Sequence, residues 1–317
     1  MSGAVSINPL HLVAVVGGTH GNEMSGVTLI RHWLKDSTEL MRDTFTAVPL
    51  LANPKATEKC VRYYERDLNR CFTRDILFSS SESEDEPYEV KRAREINMVF
   101  GPRGSIKAYE VILDLHNTTS NMGVCLIISG THRTLEMHAC HYIQTHLPSF
   151  DPQIYVYTEP GSELYDLTSV GKAGIGFELG PQPQGVARAD ILQNMKTLVK
   201  VTLDFVNQLN QGMEFPAFEV DVFQRVGHVQ FPLSPDGAIS AVVHPSLQDQ
   251  DFSVLHPGDP AFLSLDNKII PYTGKQPIYP VFVNEAAYYE KNIAFIVAEK
   301  IQVSVPALTS ISEKRTL

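Results

Sequence analysis

His20 and Glu23 stand three residues apart in VVGGTHGNEMSG (15–26), where two glycines stop an apolar run. Imidazole and carboxylate are both ordinary ligands of a catalytic zinc ion, which takes three protein donors and keeps one position open. At the mouth of a helix, side chains three apart point to one side of the turn. Two other glycine-loop chemistries are excluded. A P-loop closes on Lys followed by Ser or Thr, and a dinucleotide fingerprint needs G-x-G-x-x-G, whereas this loop runs G-G-x-x-G. Taken alone, H-x-x-E also fits two polar capping residues in a tight turn.

Two further residues bear on that choice. His116 follows the apolar VILDL of YEVILDLHNTTSN (109–121), and Glu178 sits in GFELGPQ before a Gly/Pro loop that cannot continue a strand. Both are predicted at strand ends, where the sites of open α/β sheets gather. A carboxylate placed there suits a general base that takes a proton from water at a metal. The remaining histidines (His11, His32, His132, His138, His141, His146, His228, His244 and His256) read as surface, helix-face or loop residues. RYYERDLNR (62–70) admits two readings. Arg62, Arg66 and Arg70 at steps of four describe a solvated helix face. Alternatively, Arg62 and Arg70, with Asn69 adjacent, form a guanidinium fork for a substrate carboxylate.

The elements that must position these residues alternate. LHLVAVVGG, FTAVPLLANP, VILDL, GVCLIIS and GIGFELG read as strands. VTLIRHWLKD, the stretch from the acidic run to Gly101-Pro102, LEMHACHYIQTHL and Ala189 to Leu209 read as helices. SSSESEDE reads as a solvated loop. Alternation over the first two hundred residues predicts an α/β layer on a parallel or mixed sheet. After NQGMEFPAFE the texture changes to short β-rich runs separated by Pro and Gly. The expected division is residues 1–210, a catalytic domain, and residues 211–317, a smaller β-rich domain.

Composition narrows the partners. With 43% hydrophobic and 20% charged residues, the 317-residue chain is an ordinary globular protein. A net charge of −10 argues against a nucleic-acid surface, yet a few local arginines can still make a cleft attractive to a small anion. Four cysteines without C-x-x-C spacing read as reduced thiols. The N-terminus lacks the basic start of a signal peptide, so the expected location is the cytoplasm.

GGTHGNE, DLNR, DLHNTTSNMG, ELGPQPQGV, HPSLQDQDF and YPVFVNEAAYYEK occur in this order from about residue 12 to about residue 300. Together they resemble the aspartoacylase/aminoacylase-3 family of zinc-carboxypeptidase-like hydrolases. HGNEMSG, LLANP and NQGMEFPAFE lie closer to its aminoacylase-3 branch. The resemblance implies a mixed α/β sheet flanked by helices, with a β-rich C-terminal domain that narrows the cleft. It implies one Zn2+ per subunit on His20, Glu23 and His116. Glu178 would be the base and then the acid in contact with substrate, and Arg62 would face the oxyanion. Asn69 and Arg70 would bind the α-carboxylate, with Tyr288 closing over it. Asp67, Asp114 and Glu285 would support these groups. The implied reaction is hydrolysis of an N-acyl amino acid to a carboxylate and a free amino acid. A homo-oligomer, dimer or tetramer, and a peripheral site at the apical cell membrane beside the cytoplasm also follow from the resemblance.

One departure bears on the substrate. Ten residues before Glu178, where aspartoacylases carry an arginine for the substrate's side-chain carboxylate, this chain has Thr168. Lys172 is the only basic residue between Arg133 and Arg188 and also occurs in family members that have the arginine, so it is a poor replacement. The expected substrates are therefore N-acyl aromatic or neutral L-amino acids and S-conjugates of N-acetyl-cysteine (mercapturates). The alternatives are an aspartoacylase with a relocated clamp and a non-catalytic binding protein on the same fold. The presence of all three ligands and Glu178 speaks against the latter.

Overall fold

The structure, a computed structural model, describes residues 3–79, 83, 85–158 and 162–311. Residues 80–82 and 84 of the serine-acidic run, expected as a solvated loop, lie outside the described residues. The first part of the chain runs β1 (Val5–Ile7), β2 (Leu12–Gly17), α1 (Met24–Trp33), β3 (Thr46–Leu51), α2 (Pro54–Lys59), α3 (Arg74–Leu77) and α4 (Tyr88–Phe100). It continues through β4 (Val111–Asn117), β5 (Gly123–Ile128), α5 (Thr134–His146), β6 (Gln153–Val156), β7 (Ala173–Gly180) and α6 (Ala189–Asn210). The rest is strand: β8 (Phe218–Gln230), β9 (Ala241–Val243), β10 (Pro260–Ser264), β11 (Ile269–Pro271), β12 (Tyr279–Val281), β13 (Ile293–Val305) and β14 (Leu308–Ser310).

The strands nearest the site are continuous apolar runs because helices cover both faces of the sheet. Every residue of β4 and β7 is buried. The helices are bounded by their own chemistry. Pro87 and Gly101 frame α4, and Asn53 caps α2 by accepting from Ala56 N. In α6 Met195, Leu198, Thr202, Phe205 and Leu209 recur at steps of three and four, and all are buried.

Nine strands form one mixed sheet in the order β12-β13-β8-β6-β5-β7-β4-β2-β3. The block β7, β4, β2, β3 is parallel, so its carboxyl ends lie along one edge. β5 runs antiparallel to β7. The β-rich stretch after residue 211 is divided among three sheets, and its last strand, β14, pairs with β1 in a two-stranded one. β8, β12 and β13 extend the main sheet, while β9, β10 and β11 form a separate three-stranded sheet. That smaller sheet packs on Phe231, Leu247, Leu255 and Phe295. All four cysteines are free, three of them buried. No described helix is long and apolar enough to cross a membrane.

The helical-face reading of RYYERDLNR is not what forms. Residues 61–66 are bends, and the only helical turn of the segment is a 3-10 turn at Leu68–Arg70. Glu89 pulls the segment out of a helix: its buried carboxylate accepts from the backbone N–H groups of Tyr64, Glu65 and Arg66.

Candidate active site

Three adjacent parallel strands deliver the site to one edge. His20 and Glu23 follow β2, while His116 and Glu178 lie directly opposite each other near the ends of β4 and β7. The glycines of the first loop serve packing rather than phosphate. Gly18 takes a left-handed φ of 70°. A Cβ on Gly21 would stand 2.1 Å from the backbone carbon of Ala56 in α2. The loop is therefore pressed against α2, and Glu23 stands at the first position before α1 with its side chain turned to the two imidazoles instead of capping the helix.

Glu23 joins the two imidazoles. Its Oε1 lies 2.6 Å from His20 Nδ1 and its Oε2 lies 2.9 Å from His116 Nδ1. Each ring has a second carboxylate on its far nitrogen: Asp67 at 3.1 Å from His20 Nε2 and Asp114 at 2.8 Å from His116 Nε2. Thr19 donates to Asp114 and holds it. An outer carboxylate that accepts from Nε2 on each ring would leave Nδ1 to turn its lone pair to a bound metal, the arrangement that metal-ligating histidines use. Burial pushes Glu23 upward, but His20 and His116 outweigh it and hold the carboxyl well below its usual range. For His116 burial acts downward, and Asp114 and Glu23 outweigh it to raise the imidazole well above its usual range.

These shifts describe a buried cluster of carboxylates that attracts positive charge. Candidate ligand atoms of His20, Glu23 and His116 all lie within 4.8 Å of one another. Two nitrogens and one oxygen, each backed by a fixed partner, fit a catalytic zinc with an open position.

Glu178 stands beside this cluster, opposite His116. It is buried, and its carboxylate has no hydrogen-bond partner among the described residues. Burial first, and the Glu23 charge second, push it well above the usual carboxylate range. Arg62 reaches Glu23 at 3.4 Å and Asp67 at 3.3 Å, while its buried Nε has no partner. Glu285 accepts from Thr118, Thr119 and Ser120, tying the loop after β4 to the turn that carries Tyr288.

A cleft opens from this cluster, and His20, Arg62, Asn69, Arg70, His116, Glu178 and Tyr288 all line it. Glu23 lines a smaller adjoining pocket with His20, Arg62 and Glu178. Arg70 lies over the Tyr165 ring at 4.6 Å, and Asn69 accepts from Leu167 N, so both are held at the wall. Thr168 lines the same cleft and donates to Asp166, which also accepts from the Tyr157 hydroxyl. Lys172 pairs with Glu110 at 2.8 Å and lies outside the cleft. Several cleft residues escaped the sequence reading, among them Tyr155, Tyr157, Tyr165, Asp166 and Phe282, and one arginine, Arg225, on β8. Its local sequence, VFQRVGHVQ, is a half-exposed strand pattern with nothing to mark the arginine.

A mixed sheet with a His-Glu-His cluster and a buried carboxylate at its parallel edge has the parts of a metal-assisted hydrolase. Residues 9–206 match the Succinylglutamate desuccinylase/Aspartoacylase catalytic domain and residues 218–300 the AstE/AspA barrel-sandwich hybrid domain. The chain is 52% identical over 304 residues to the N-acyl-aromatic-L-amino acid amidohydrolase (carboxylate-forming) of Homo sapiens, covering 96% of this chain and 95% of that protein. It is 46% identical to the aspartoacylase of Mus musculus, covering 98% and 99% respectively. The crystal structure of murine aminoacylase 3 superposes with a TM-score of 0.93 at 50% identity, covering 96% of this chain and all of that one. The protein belongs to the succinylglutamate desuccinylase/aspartoacylase family.

Proposed function

We propose that the protein is a zinc-dependent amidohydrolase that deacylates N-acyl, mainly N-acetyl, aromatic or neutral L-amino acids and mercapturates. The observation that carries this reading is the His20–Glu23–His116 cluster beside a hydrogen-bond-free Glu178, at the end of a cleft with aromatic walls. The activity named for the 52% identical human relative supports the same reading. One zinc ion per chain, when bound, supplies a Lewis acid that polarises the acyl carbonyl and acidifies water.

The chain's own residues do the rest. Glu178 takes a proton from the attacking water and returns it to the departing amine, and its raised proton affinity suits both steps. Arg62 offers its unpaired Nε–H to the oxyanion. Asn69 and Arg70 hold the α-carboxylate, and Tyr288 closes over it. The segment after residue 211 narrows the cleft through Phe282, Tyr288 and Ile296, so small N-acyl amino acids enter and peptides do not. The free cysteines support a reducing compartment, the cytoplasm.

Substrate choice follows from Thr168. A carboxylate arriving there meets Asp166 instead of a cation. Burying it uncompensated costs roughly 3–5 kcal/mol, about two to three and a half decades in kcat/KM. A buried phenyl ring gains about 1.5–3 kcal/mol instead. The test is kcat/KM for N-acetyl-tyrosine and N-acetyl-aspartate on metal-analysed protein. N-acetyl-tyrosine is expected to lead by about a hundredfold or more. Equal values, or a preference for aspartate, would place the protein with the aspartoacylases.

A further inference from the structure

Arg225 stands at the opposite end of the cleft from the reacting groups. Ile127 in β5 pairs with Gly176 in β7 and with Tyr155 in β6, and Tyr155 pairs with Phe223 in β8. Phe223 is thus level with Gly176, two residues before Glu178. Arg225 lies two residues further the other way, because β5, β6 and β8 run against β7. Across the strands alone, three spacings of about 4.8 Å put β8 roughly 14 Å from β7. Glu178 and Arg225 nevertheless line one continuous cleft, with Tyr155, Tyr157 and Ile127 between them.

Among the described residues no side chain pairs with the Arg225 guanidinium. Asp166, which lines the same cleft, is already taken by Tyr157 and Thr168. A guanidinium stays charged at every working pH, so its buried Nε–H is left without an acceptor. An acceptor delivered by the substrate would supply the missing partner.

We propose that Arg225 is a specificity-determining residue that receives a carboxylate carried at the far end of a long substrate substituent, an aromatic ring's length or more from the reacting amide. The proposal deepens the amidohydrolase reading and rests on it. An aspartate side chain is too short to cross three strands, so poor use of N-acetyl-aspartate is still expected. The aromatic wall suits a ring lying between the two ends.

The experiment compares kcat and KM of the full-length, zinc-loaded protein for N-acetyl-phenylalanine, N-acetyl-4-carboxyphenylalanine and N-glutaryl-phenylalanine. The last two carry the distal carboxylate on the side chain and on the acyl group, and so tell which arm reaches Arg225. Arg225→Met should raise KM for at least one of these diacids by about 10- to 100-fold, the worth of a charge-assisted hydrogen bond. kcat should hold, N-acetyl-phenylalanine should be turned over as by the wild type, and Arg225→Lys should recover part of the loss. Unchanged N-acetyl-phenylalanine turnover also reports that the variant folds; Arg225→Gln replaces it where it does not. Equal effects on all three substrates, or no effect on either diacid, overturn the proposal. A wild type that cleaves none of the three overturns the amidohydrolase reading itself, and the proposal with it.

Discussion

Glu178 and His116 face each other across neighbouring strands, so one residue can be changed without moving the other. Glu178→Gln keeps the shape and removes the proton acceptor. kcat should fall by about 10²–10⁴ while zinc content per chain is unchanged, and near-normal turnover would mean that the base lies elsewhere. His116→Ala should lose zinc and activity together and leave the circular-dichroism spectrum intact; full activity in metal-free protein would sink the zinc assignment. These residues were legible because each sits at a strand end with a chemistry unusual for that place. Arg225 was not, because only the strand pairing of β8 brings it to the cleft. Asp251 carries a different signal. Its Oδ1 accepts from Val283 N, its Oδ2 is buried without a partner, and burial pushes its carboxyl up to about 7. In the unfolded chain an aspartate ionises near about 3.9. The fold therefore keeps its full stability below that value and loses part of it as the pH rises toward 7. The loss has a ceiling of about 4 kcal/mol. Asp251→Asn does not titrate, so its unfolding free energy should gain on the wild type's by about 3 kcal/mol between about pH 4.5 and about pH 8. A gap that stays constant with pH, measured by urea melts, would refute this.

At the scale of elements, the loop between β2 and α1 does the positioning, and its tolerance is the measurable quantity. Gly21 lies against the backbone of α2, and a methyl group there meets the Ala56 carbon at 2.1 Å. Backbone cannot swing aside as a side chain can, so Gly21→Ala must displace the loop or the helix. The expected cost is about 1–3 kcal/mol of stability, together with weaker zinc retention under chelator, since His20 and Glu23 ride on that loop. A variant that melts and holds zinc like the wild type would show that the contact relaxes freely. The strands that carry the site were legible for the reason that makes them rigid: β2, β4 and β7 are almost wholly buried and read as apolar runs, interrupted by Asp114, His116, Asn117 and Glu178. β6 is only Gln153–Val156 and gives no periodic signal. β8 alternates polar and apolar residues along a half-exposed face, so only its end was recognisable. β13 pairs with β8 along nearly its whole length, a relation between residues far apart in sequence that no local pattern encodes.

At the scale of the molecule, the expected division near residue 211 separates two textures of sequence, but the core runs across it. Val220, Val222, Val305 and Leu308 belong to the same buried cluster as β2, β4 and α6. β8 pairs with β6 and would leave that strand an open edge if removed. Glu285 clasps the loop that follows β4 from the far side. Losing four buried aliphatic side chains costs about 6–12 kcal/mol at 1.5–3 kcal/mol each, as much as the whole stability of a typical domain, about 5–15 kcal/mol. Residues 1–210 expressed alone should therefore lack a cooperative thermal transition and tend to aggregate through the β6 edge, even though every proposed zinc ligand lies within them. Circular-dichroism melts and sedimentation of that fragment check this. A soluble fragment with a sharp transition near that of the full chain would show that the first two hundred residues hold their fold, and with it the metal cluster, without the β-rich remainder.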